Sequence, residues 1–360
     1  MSVAVGEFAA PTRIVAGRGC VAERLRVEVE ALGATTVAVV ADRGFADAGL
    51  LERVLEGIEE AEVCALIGED PDVEESELAA FAAIEAGASA VLAIGGGSAL
   101  CAAKAVAIRL RNPAPLDLYE GEGRLPAPPA PSIAVPTTAG SGSEVSNVVV
   151  LHDGGRTNHL VIRGRGYEPL VALLDGDLLE TLPRAPMIAA ALDALSHALE
   201  SLWVRRSTRF TAAMALAAAA SLREALPEAL DGDGGARQRL VEASAMANLA
   251  CGNSGLGLVH ALSSSVDVHL PHGYQNGVLL PHVAAFNRDM VAPAVVAEID
   301  ALAALYDAIG FEARFGPGEV EQAGSAAMVA AATANPFRQN NRREAGEGEL
   351  RNLLKAAGAA

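Results

Sequence analysis

The sequence is short of cysteine, of basic residues and of long apolar runs, and each shortage excludes a class of protein. Its four cysteines lie far apart without a CxxC pair, which is typical of reduced thiols in a cytoplasmic protein. Lysine and arginine number 27 against 45 acidic residues, for a formal net charge of −18. Such a chain repels phosphate backbones, so we expect no nucleic-acid partner.

The lack of long apolar runs predicts that no helix spans a membrane, since a membrane helix needs ~20 apolar residues and no run approaches that length. The N-terminus also lacks the basic and apolar segments of a signal peptide, so we expect a cytoplasmic protein without membrane contact. Hydrophobic residues at 51% and charged residues at 20% indicate a globular chain. Its 360 residues predict two domains or one large α/β unit.

The first half of the chain alternates strand and helix patterns. Strands are predicted at Thr12–Ala16, Thr35–Ala41, Val63–Ile67, Ala90–Ile94, Ser132–Val135 and Val171–Leu174, and a hairpin at Val148–His152 and His159–Ile162. Helices are predicted at Val21–Leu32, Ala48–Glu59, Val73–Ala86 and Ala99–Arg111. Strands joined through helices predict a Rossmann-like α/β domain, with a parallel sheet covered by helices on both faces.

The second half is rich in alanine and leucine at helical spacing from Pro186 onward, and strand signals nearly vanish. We place the domain boundary near Leu182–Pro183, which divides the chain into an α/β domain, 1–182, and an all-helical domain, 183–360. The glycine-rich segment Leu230–Ala236 is predicted to be a loop between two helices.

Two glycine- and hydroxyl-rich turns follow predicted strands. Gly95-Gly96-Gly97-Ser98 precedes a helix, where glycine lets the backbone approach an oxyanion and the helix N-terminus supplies free N–H groups; an ordinary tight turn is equally compatible. The segment Thr137–Glu144 also follows a strand, and the two turns would face one crevice in a parallel sheet. Asp42, which ends an earlier strand, can accept hydrogen bonds from a ribose and repel a 2′-phosphate, or simply cap a helix.

A possible metal site lies in the second half. Asp193 and His197 are four residues apart on one predicted helix, so both side chains share a face. His260 and His272 follow in apolar surroundings, and three imidazoles with one carboxylate suit Zn²⁺ or Fe²⁺. Two alternatives stay open for the helix alone, since a lone histidine is often a hydrogen-bonded core residue and an Asp–His pair can be a surface pair.

Five motifs together resemble the iron-containing (group III) alcohol dehydrogenases, over nearly the whole chain. The motifs are GGGSALCAAK (95–104), LPAPPAPSIAVPTTAGSGSE (125–144), ALDALSHALESLW (191–203), GNSGLGLVHAL (252–262) and PHGYQNGVLLPHV (271–283). The length and the ending at 335–357 look most like the maleylacetate reductase branch of that family. Asp193 argues the other way, because that branch often carries asparagine there.

The resemblance implies a nicotinamide-binding N-terminal domain, a helical C-terminal domain, and an active site between them. It puts the metal ligands at Asp193, His197, His260 and His272, and the cofactor contacts at Asp42, Gly96, Gly97, Ser98, Thr137, Thr138 and Ser141. It also implies a nicotinamide cofactor, Fe²⁺ or Zn²⁺, a small alcohol or carbonyl substrate, and a homodimer. The carboxylate of Asp42 predicts NAD rather than NADP, because it would repel a 2′-phosphate. In such chemistry the metal is a Lewis acid while hydride passes to or from the nicotinamide.

Several positions depart from the family pattern. Cys101 stands where many members have aspartate, and His159 where they often have a lysine that touches the cofactor ribose. The interval from His260 to His272 is two residues shorter than usual, and Ser264 replaces a second histidine thought to help relay protons. His269 is a candidate substitute for that histidine, although a solvent-exposed loop histidine is an equally good interpretation.

These departures keep two alternative functions open beside a metal-dependent, NAD-linked dehydrogenase or reductase. One is a cyclase of the dehydroquinate synthase type, although its longer set of basic substrate residues is not visible. The other is a protein that keeps both sites but has a lost or altered redox reaction. A nicotinamide absorbance assay across aldehydes, ketones and keto acids separates that alternative from the dehydrogenase.

Overall fold

The computed structural model describes residues 6–68, 71–153 and 159–359. It divides into two compact units. Among the described residues, the α/β unit lies within Ala10–Thr138 and Gly142–Thr181, and the helical unit comprises residues 6–9, the short segment Ala139–Ser141, and residues 182–359.

The α/β unit is built on a parallel sheet with the strand order β1-β9-β6-β4-β2-β3 among the described residues. These strands are β1 (Arg13–Ala16), β2 (Val37–Asp42), β3 (Ala61–Ile67), β4 (Ala90–Gly95), β6 (Ser132–Pro136) and β9 (Val171–Leu174). A smaller sheet has the order β5-β8-β7, from β5 (Gly121–Glu122), β7 (Val148–Leu151) and β8 (Leu160–Arg163). Strands β7 and β8 pair antiparallel, as the predicted hairpin requires.

The helices of this unit are α1 (Cys20–Ala31), α2 (Arg43–Asp47), α3 (Leu50–Leu55), α4 (Val73–Glu85) and α5 (Gly97–Arg111). The helix predicted over 48–59 is shorter in the structure, because α3 covers only Leu50–Leu55 and begins after Gly49, whose φ of 71° lies in the left-handed region. The short helix α2, which precedes Gly49, was not predicted. Separate hydrophobic clusters cover the two faces of the sheet, which confirms the predicted parallel sheet with helices on both sides.

The helical unit contains nine helices among the described residues. They are α6 (Arg184–Trp203), α7 (Arg209–Leu230), α8 (Gly234–Ser254), α9 (Leu258–Leu262), α10 (His272–Asn287), α11 (Pro293–Ile309), α12 (Gln322–Ala334), α13 (Pro336–Asn340) and α14 (Glu347–Ala356). The predicted loop at 230–236 is shorter than expected. Helix α8 begins at Gly234 because the Asp233 side chain accepts a hydrogen bond from the Ala236 N–H and caps it.

Among the residues that the structure describes, every helix is too short or too polar to cross a membrane.

Candidate functional site

Three neighbouring strands of the parallel sheet end together. Strand β4 lies between β2 and β6, with Ile94 level with Ala41 and Gly95 level with Pro136. The residues that follow, Asp42, Gly95–Ser98 and Thr137–Thr138, therefore lie at one edge of the sheet. Parallel sheets bind ligands at this edge, where helix N-termini and free backbone N–H groups converge.

Gly95 allows this close approach of the strand ends. Its φ of 151° is one that L side chains rarely adopt, and an added Cβ would lie 2.7 Å from the Cβ atoms of both Asp42 and Ala99. Its carbonyl accepts a hydrogen bond from the Thr137 N–H at 3.0 Å. Gly96 caps the N-terminus of α5 and Gly97 begins it, which places Ser98 in the first helical turn.

Asp42 is a helix cap in this structure, which was one of its two interpretations. Its Oδ1 accepts from the Phe45 N–H at 2.8 Å, and this contact leaves Oδ2 for a second acceptor role. Ser141 is exposed and belongs to the segment grouped with the helical unit. His159 is exposed at the end of the hairpin, and its ring centroid lies 5.9 Å from that of His152.

A buried pair of ionisable groups lies behind the glycine turn. The Lys104 ammonium donates to the carbonyls of Ser146 at 3.2 Å and Val148 at 2.5 Å, which joins α5 to β7. Burial lowers the pKa of Lys104. Burial also raises the pKa of Glu144 to about 7, although Lys104 acts in the opposite direction.

The predicted metal ligands lie together in the helical unit. Asp193 Oδ1 is 3.9 Å from His197 Nε2, 3.6 Å from His260 Nε2 and 3.9 Å from His272 Nε2. The rings of His197 and His260 stack with centroids 4.6 Å apart, and those of His260 and His272 are 5.4 Å apart. One carboxylate oxygen is therefore surrounded by three imidazole nitrogens.

The electrostatics of this cluster favour positive charge. Burial alone would raise the pKa of Asp193, but the neighbouring imidazoles outweigh it and lower that pKa. Burial lowers the pKa of His197, which keeps this imidazole neutral and able to bind a metal. Burial would also lower the pKa of His260, but the neighbouring carboxylates of Asp193 and Glu200 raise it. Two carboxylates thus stabilise positive charge at a buried point.

The donor set and spacing fit a divalent cation. Asp193, His197 and His260 are almost fully buried, whereas the His272 side chain is 53% exposed, so one side of the cluster is open. Ligands held at ~2.0–2.2 Å by a tetrahedral ion lie roughly 3.3–3.6 Å apart. The distances from Asp193 Oδ1 to the three nitrogens exceed that by about a few tenths of an ångström. Among the described residues, the ligand atoms of Asp193, His197 and His260 all lie within 4.8 Å of one another, and His272 lies outside this group of three.

Asn276 supplies a second indication of a cation site. Its Nδ2 lies 2.7 Å from Asp193 Oδ1, 3.1 Å from His260 Nε2 and 3.0 Å from His272 Nε2, and its Oδ1 is buried without a hydrogen-bond partner. Two amide hydrogens cannot serve three acceptors. A cation would take up the lone pairs that the amide leaves unsatisfied.

Close packing of α6 and α10 brings these side chains together. A Cβ added to Gly273 would collide with the Ala189 carbonyl and lie 3.4 Å from the Asp193 Cβ. Glycine at this position lets the first turn of α10 rest directly on α6. His272, the first residue of α10, is thereby held beside Asp193.

Sequence reasoning missed two residues of the cluster, Asn276 and Glu200. Glu200 accepts hydrogen bonds from His260 Nδ1 at 2.7 Å and from the backbone of Gly257 and Val259. Helical spacing could have identified both residues. Asn276 is four residues after His272 and Glu200 is seven after Asp193, so each lies on the same helix face as a predicted ligand.

Ser264 and His269 lie in the segment between α9 and α10. Helix α9 ends at Leu262, and the Ser264 hydroxyl donates to the Ala261 carbonyl at 2.7 Å. That hydroxyl therefore closes the C-terminal turn of α9. His269 is exposed.

Comparison with known families matches both units. The profile described as "Iron-containing alcohol dehydrogenase" matches residues 11–176, and the one described as "Fe-containing alcohol dehydrogenase family, C-terminal" matches residues 187–296.

Individual relatives agree with these profiles. The chain is 34% identical over 288 residues to the NAD-dependent methanol dehydrogenase of Bacillus methanolicus, covering 78% of this chain and 75% of the relative. It is 32% identical to the lactaldehyde reductase of Escherichia coli, covering 76% and 73%. The crystal structure of sulfoacetaldehyde reductase from Bifidobacterium kashiwanohense in complex with NAD⁺ superposes with a TM-score of 0.90 at 27% identity, covering 99% of both chains. These comparisons favour neither a cyclase nor a protein with a lost or altered redox reaction.

Proposed function

This chain belongs to the iron-containing alcohol dehydrogenase family, and we propose that it transfers hydride between NAD and a small alcohol or carbonyl substrate with one divalent metal ion. The observation that carries the proposal is the convergence of His197, His260 and His272 on Asp193. When bound, the cation supplies Lewis acidity to the substrate oxygen, and the nicotinamide accepts or delivers the hydride.

In this proposal the protein's own residues hold and orient the reactants. Asp193, His197, His260 and His272 hold Fe²⁺ or Zn²⁺, with His272 at the open side of the cluster. In the 1–182 domain, backbone N–H groups at Gly96, Gly97 and Ser98 bind the pyrophosphate. Thr137, Thr138 and Ser141 orient the nicotinamide, Asp42 accepts from the adenosine ribose, and His159 takes the place of the ribose-binding lysine.

Proton movement is assigned to the segment between α9 and α10, beside the ligand His260. Ser264 or His269 carries the proton to or from the substrate oxygen, in place of the histidine that other members have. A positioned acid–base group contributes roughly 10²–10⁴-fold to rate. We therefore expect kcat to fall in either Ser264→Ala or His269→Ala and to stay unchanged in Ser265→Ala. Equal kcat in all three variants would assign proton transfer to solvent.

The function is tested on the unmutated protein, loaded with Fe²⁺ or Zn²⁺ and shown to bind NADH. Absorbance of NADH is followed with a panel of aldehydes, ketones and keto acids, and NAD reduction with the matching alcohols. We expect turnover with at least one class of substrate. A protein that oxidises no NADH and reduces no NAD across the panel would refute the dehydrogenase function.

The metal assignment is tested on two variants of the same segment. In His272→Ala we expect loss of bound metal, measured by elemental analysis, because one of four ligands is removed. His269→Ala should retain the metal, since His269 is not among the converging side chains. Full metal content in His272→Ala, or loss in His269→Ala, would contradict the four-ligand assignment.

The remaining assignments also belong to the proposal. A homodimer in the cytoplasm is expected, and light scattering of the purified protein measures its mass against the 36.7 kDa of one chain. Placement in the maleylacetate reductase branch stays a prediction that rests on the length and C-terminal segment of the chain. Keto acids in the substrate panel test that branch directly.

A further inference from the structure

Glu200 is a carboxylate with no exposure to solvent. It lies on α6, seven residues after Asp193. Its Oε2 is 2.7 Å from His260 Nδ1 and 3.1 Å from the Gly257 nitrogen, and its Oε1 is 2.7 Å from the Val259 nitrogen. All three donors belong to the segment that begins α9. The contacts join residues that are 57 to 60 positions apart in the chain.

These contacts determine which nitrogen of His260 carries a hydrogen. An ionised carboxylate only accepts hydrogen bonds, so the ring donates its Nδ1–H to Glu200. The lone pair then lies on Nε2, which is the atom 3.6 Å from Asp193 Oδ1. In metal sites, a carboxylate bonded to the far nitrogen of a histidine sets the tautomer and the ring orientation.

The Glu200 carboxylate is itself held in place. It accepts from two backbone N–H groups besides the ring, so it cannot rotate without leaving buried donors unpaired. Gly257 makes this approach possible, because an added Cβ would lie 2.9 Å from Glu200 Oε1 and 3.2 Å from Asn341 Oδ1. The ring of His260 is therefore oriented by an anchored group.

We propose that Glu200 is a positioning residue of the metal centre, which raises metal affinity by fixing the tautomer and direction of His260. This inference rests on the proposed function, because it takes His260 as a ligand. A carboxylate that merely joined α6 to α9 would leave metal affinity unchanged once the protein is folded.

Glu200→Gln distinguishes a residue that positions His260 from one that only joins α6 to α9. It keeps the shape of the side chain, but one of its terminal atoms becomes a donor. If that donor faces His260, the ring accepts at Nδ1 and carries its hydrogen on Nε2, the atom that must bind the metal. If it faces Val259 instead, it opposes a backbone N–H and displaces the start of α9. Either arrangement weakens the bond between His260 and the metal ion.

The experiment measures the Zn²⁺ dissociation constant by competition with a chelator. We expect Glu200→Gln to bind Zn²⁺ roughly 10–100-fold more weakly than wild type. The matched control is Thr211→Ala, which removes a buried hydroxyl of the same unit that bonds Thr208 at the start of α7. It should keep wild-type affinity. Wild-type affinity in Glu200→Gln, or an equal loss in the control, overturns the proposal.

A second measurement needs no variant. In Zn²⁺-loaded wild type with ¹⁵N-labelled histidine, the NMR signals of His260 should show the hydrogen on Nδ1. A hydrogen on Nε2, with Nδ1 as ligand, would overturn the proposal even if Glu200→Gln failed to fold. A wild-type protein that binds no Zn²⁺ or Fe²⁺ instead refutes the proposed function, and this inference with it.

Discussion

The carboxylate of Asp42 has two oxygens, and it lies at the edge of the sheet that is proposed to bind the cofactor. One carboxylate oxygen caps α2 through the Phe45 N–H, and the cap orients the side chain at the end of β2. The second oxygen is the one proposed to accept from the adenosine ribose. A local helix cap can therefore pre-orient a cofactor contact.

Asp42→Ser separates the cap from the charge. Serine is a good N-cap, so the fold should be retained, but the carboxylate that repels a 2′-phosphate is gone. We expect wild type to bind NADH more tightly than NADPH and the variant to lose most of that preference. Fluorescence titration with both cofactors measures it. A variant with an unchanged preference would show that Asp42 does not face the ribose.

Glu144 gives a prediction about pH. Burial raises the pKa of this carboxyl from 4.5 to about 7, so the folded protein binds a proton more tightly than the unfolded chain. Stability should therefore fall as pH rises from about 4.5 to 7, by at most roughly 3 kcal/mol. Glu144→Gln should lose less stability between pH 5 and pH 8 than wild type, as measured by urea unfolding. Identical pH slopes would contradict the raised pKa.

At the scale of secondary-structure elements, the metal cluster depends on how closely α10 approaches α6. Two of the proposed ligands, Asp193 and His197, come from one helix, and their i, i+4 spacing brings them together without any other element. His272 joins them only because the first turn of α10 lies against the backbone of α6 at Ala189. The geometry of the site is therefore set by backbone contact between two helices as well as by its ligands.

Gly273→Ala tests this contact. The added methyl would collide with the Ala189 backbone, so α10 must move away from α6 and carry His272 with it. We expect weaker Zn²⁺ binding and lower stability. Gly252→Ala is the control, because that helical glycine has nothing within 4 Å of an added Cβ, and alanine there should stabilise by up to about 1 kcal/mol. Equal Zn²⁺ affinity in both variants would refute the argument.

At the scale of the whole molecule, the proposed sites for the metal ion and for the pyrophosphate of the cofactor lie in different units. All four proposed metal ligands lie in the helical unit, and the turn proposed to bind the pyrophosphate, Gly95–Ser98, lies in the α/β unit. A ligand that binds only the folded state stabilises it by about 2.7 kcal/mol at a hundredfold excess over Kd. We therefore expect the metal ion and NADH each to stabilise most strongly the unit that contains the proposed binding residues.

Hydrogen exchange measured by mass spectrometry tests this division. Zn²⁺ should slow amide exchange in α6, α9 and α10, and NADH should slow it around Gly95–Ser98 and Thr137–Thr138. In His272→Ala the Zn²⁺ effect should disappear while the NADH effect remains. Zn²⁺ protection confined to the α/β unit would contradict the ligand assignment.

The sequence alone determined the features that depend on neighbours along the chain. Apolar strand patterns that alternate with helix patterns predicted the parallel sheet, because the spacing of apolar residues reflects which side chains are buried. The spacing of Asp193 and His197 predicted a shared helix face for the same reason. The short helix α2 and the start of α3 after Gly49 escaped that reasoning, since glycine is compatible with both helix and turn.

Only the tertiary structure decided the features that join distant segments. The bond from His260 to Glu200, the contact of Asn276 with three of the proposed ligands, and the burial of Lys104 and Glu144 depend on helices and strands far apart in sequence. A glutamate in a helix is ordinarily a solvated residue, and nothing in its immediate neighbours shows that it is buried. Its partners appear only when α9 packs against α6, because hydrogen bonds and desolvation depend on distance in space.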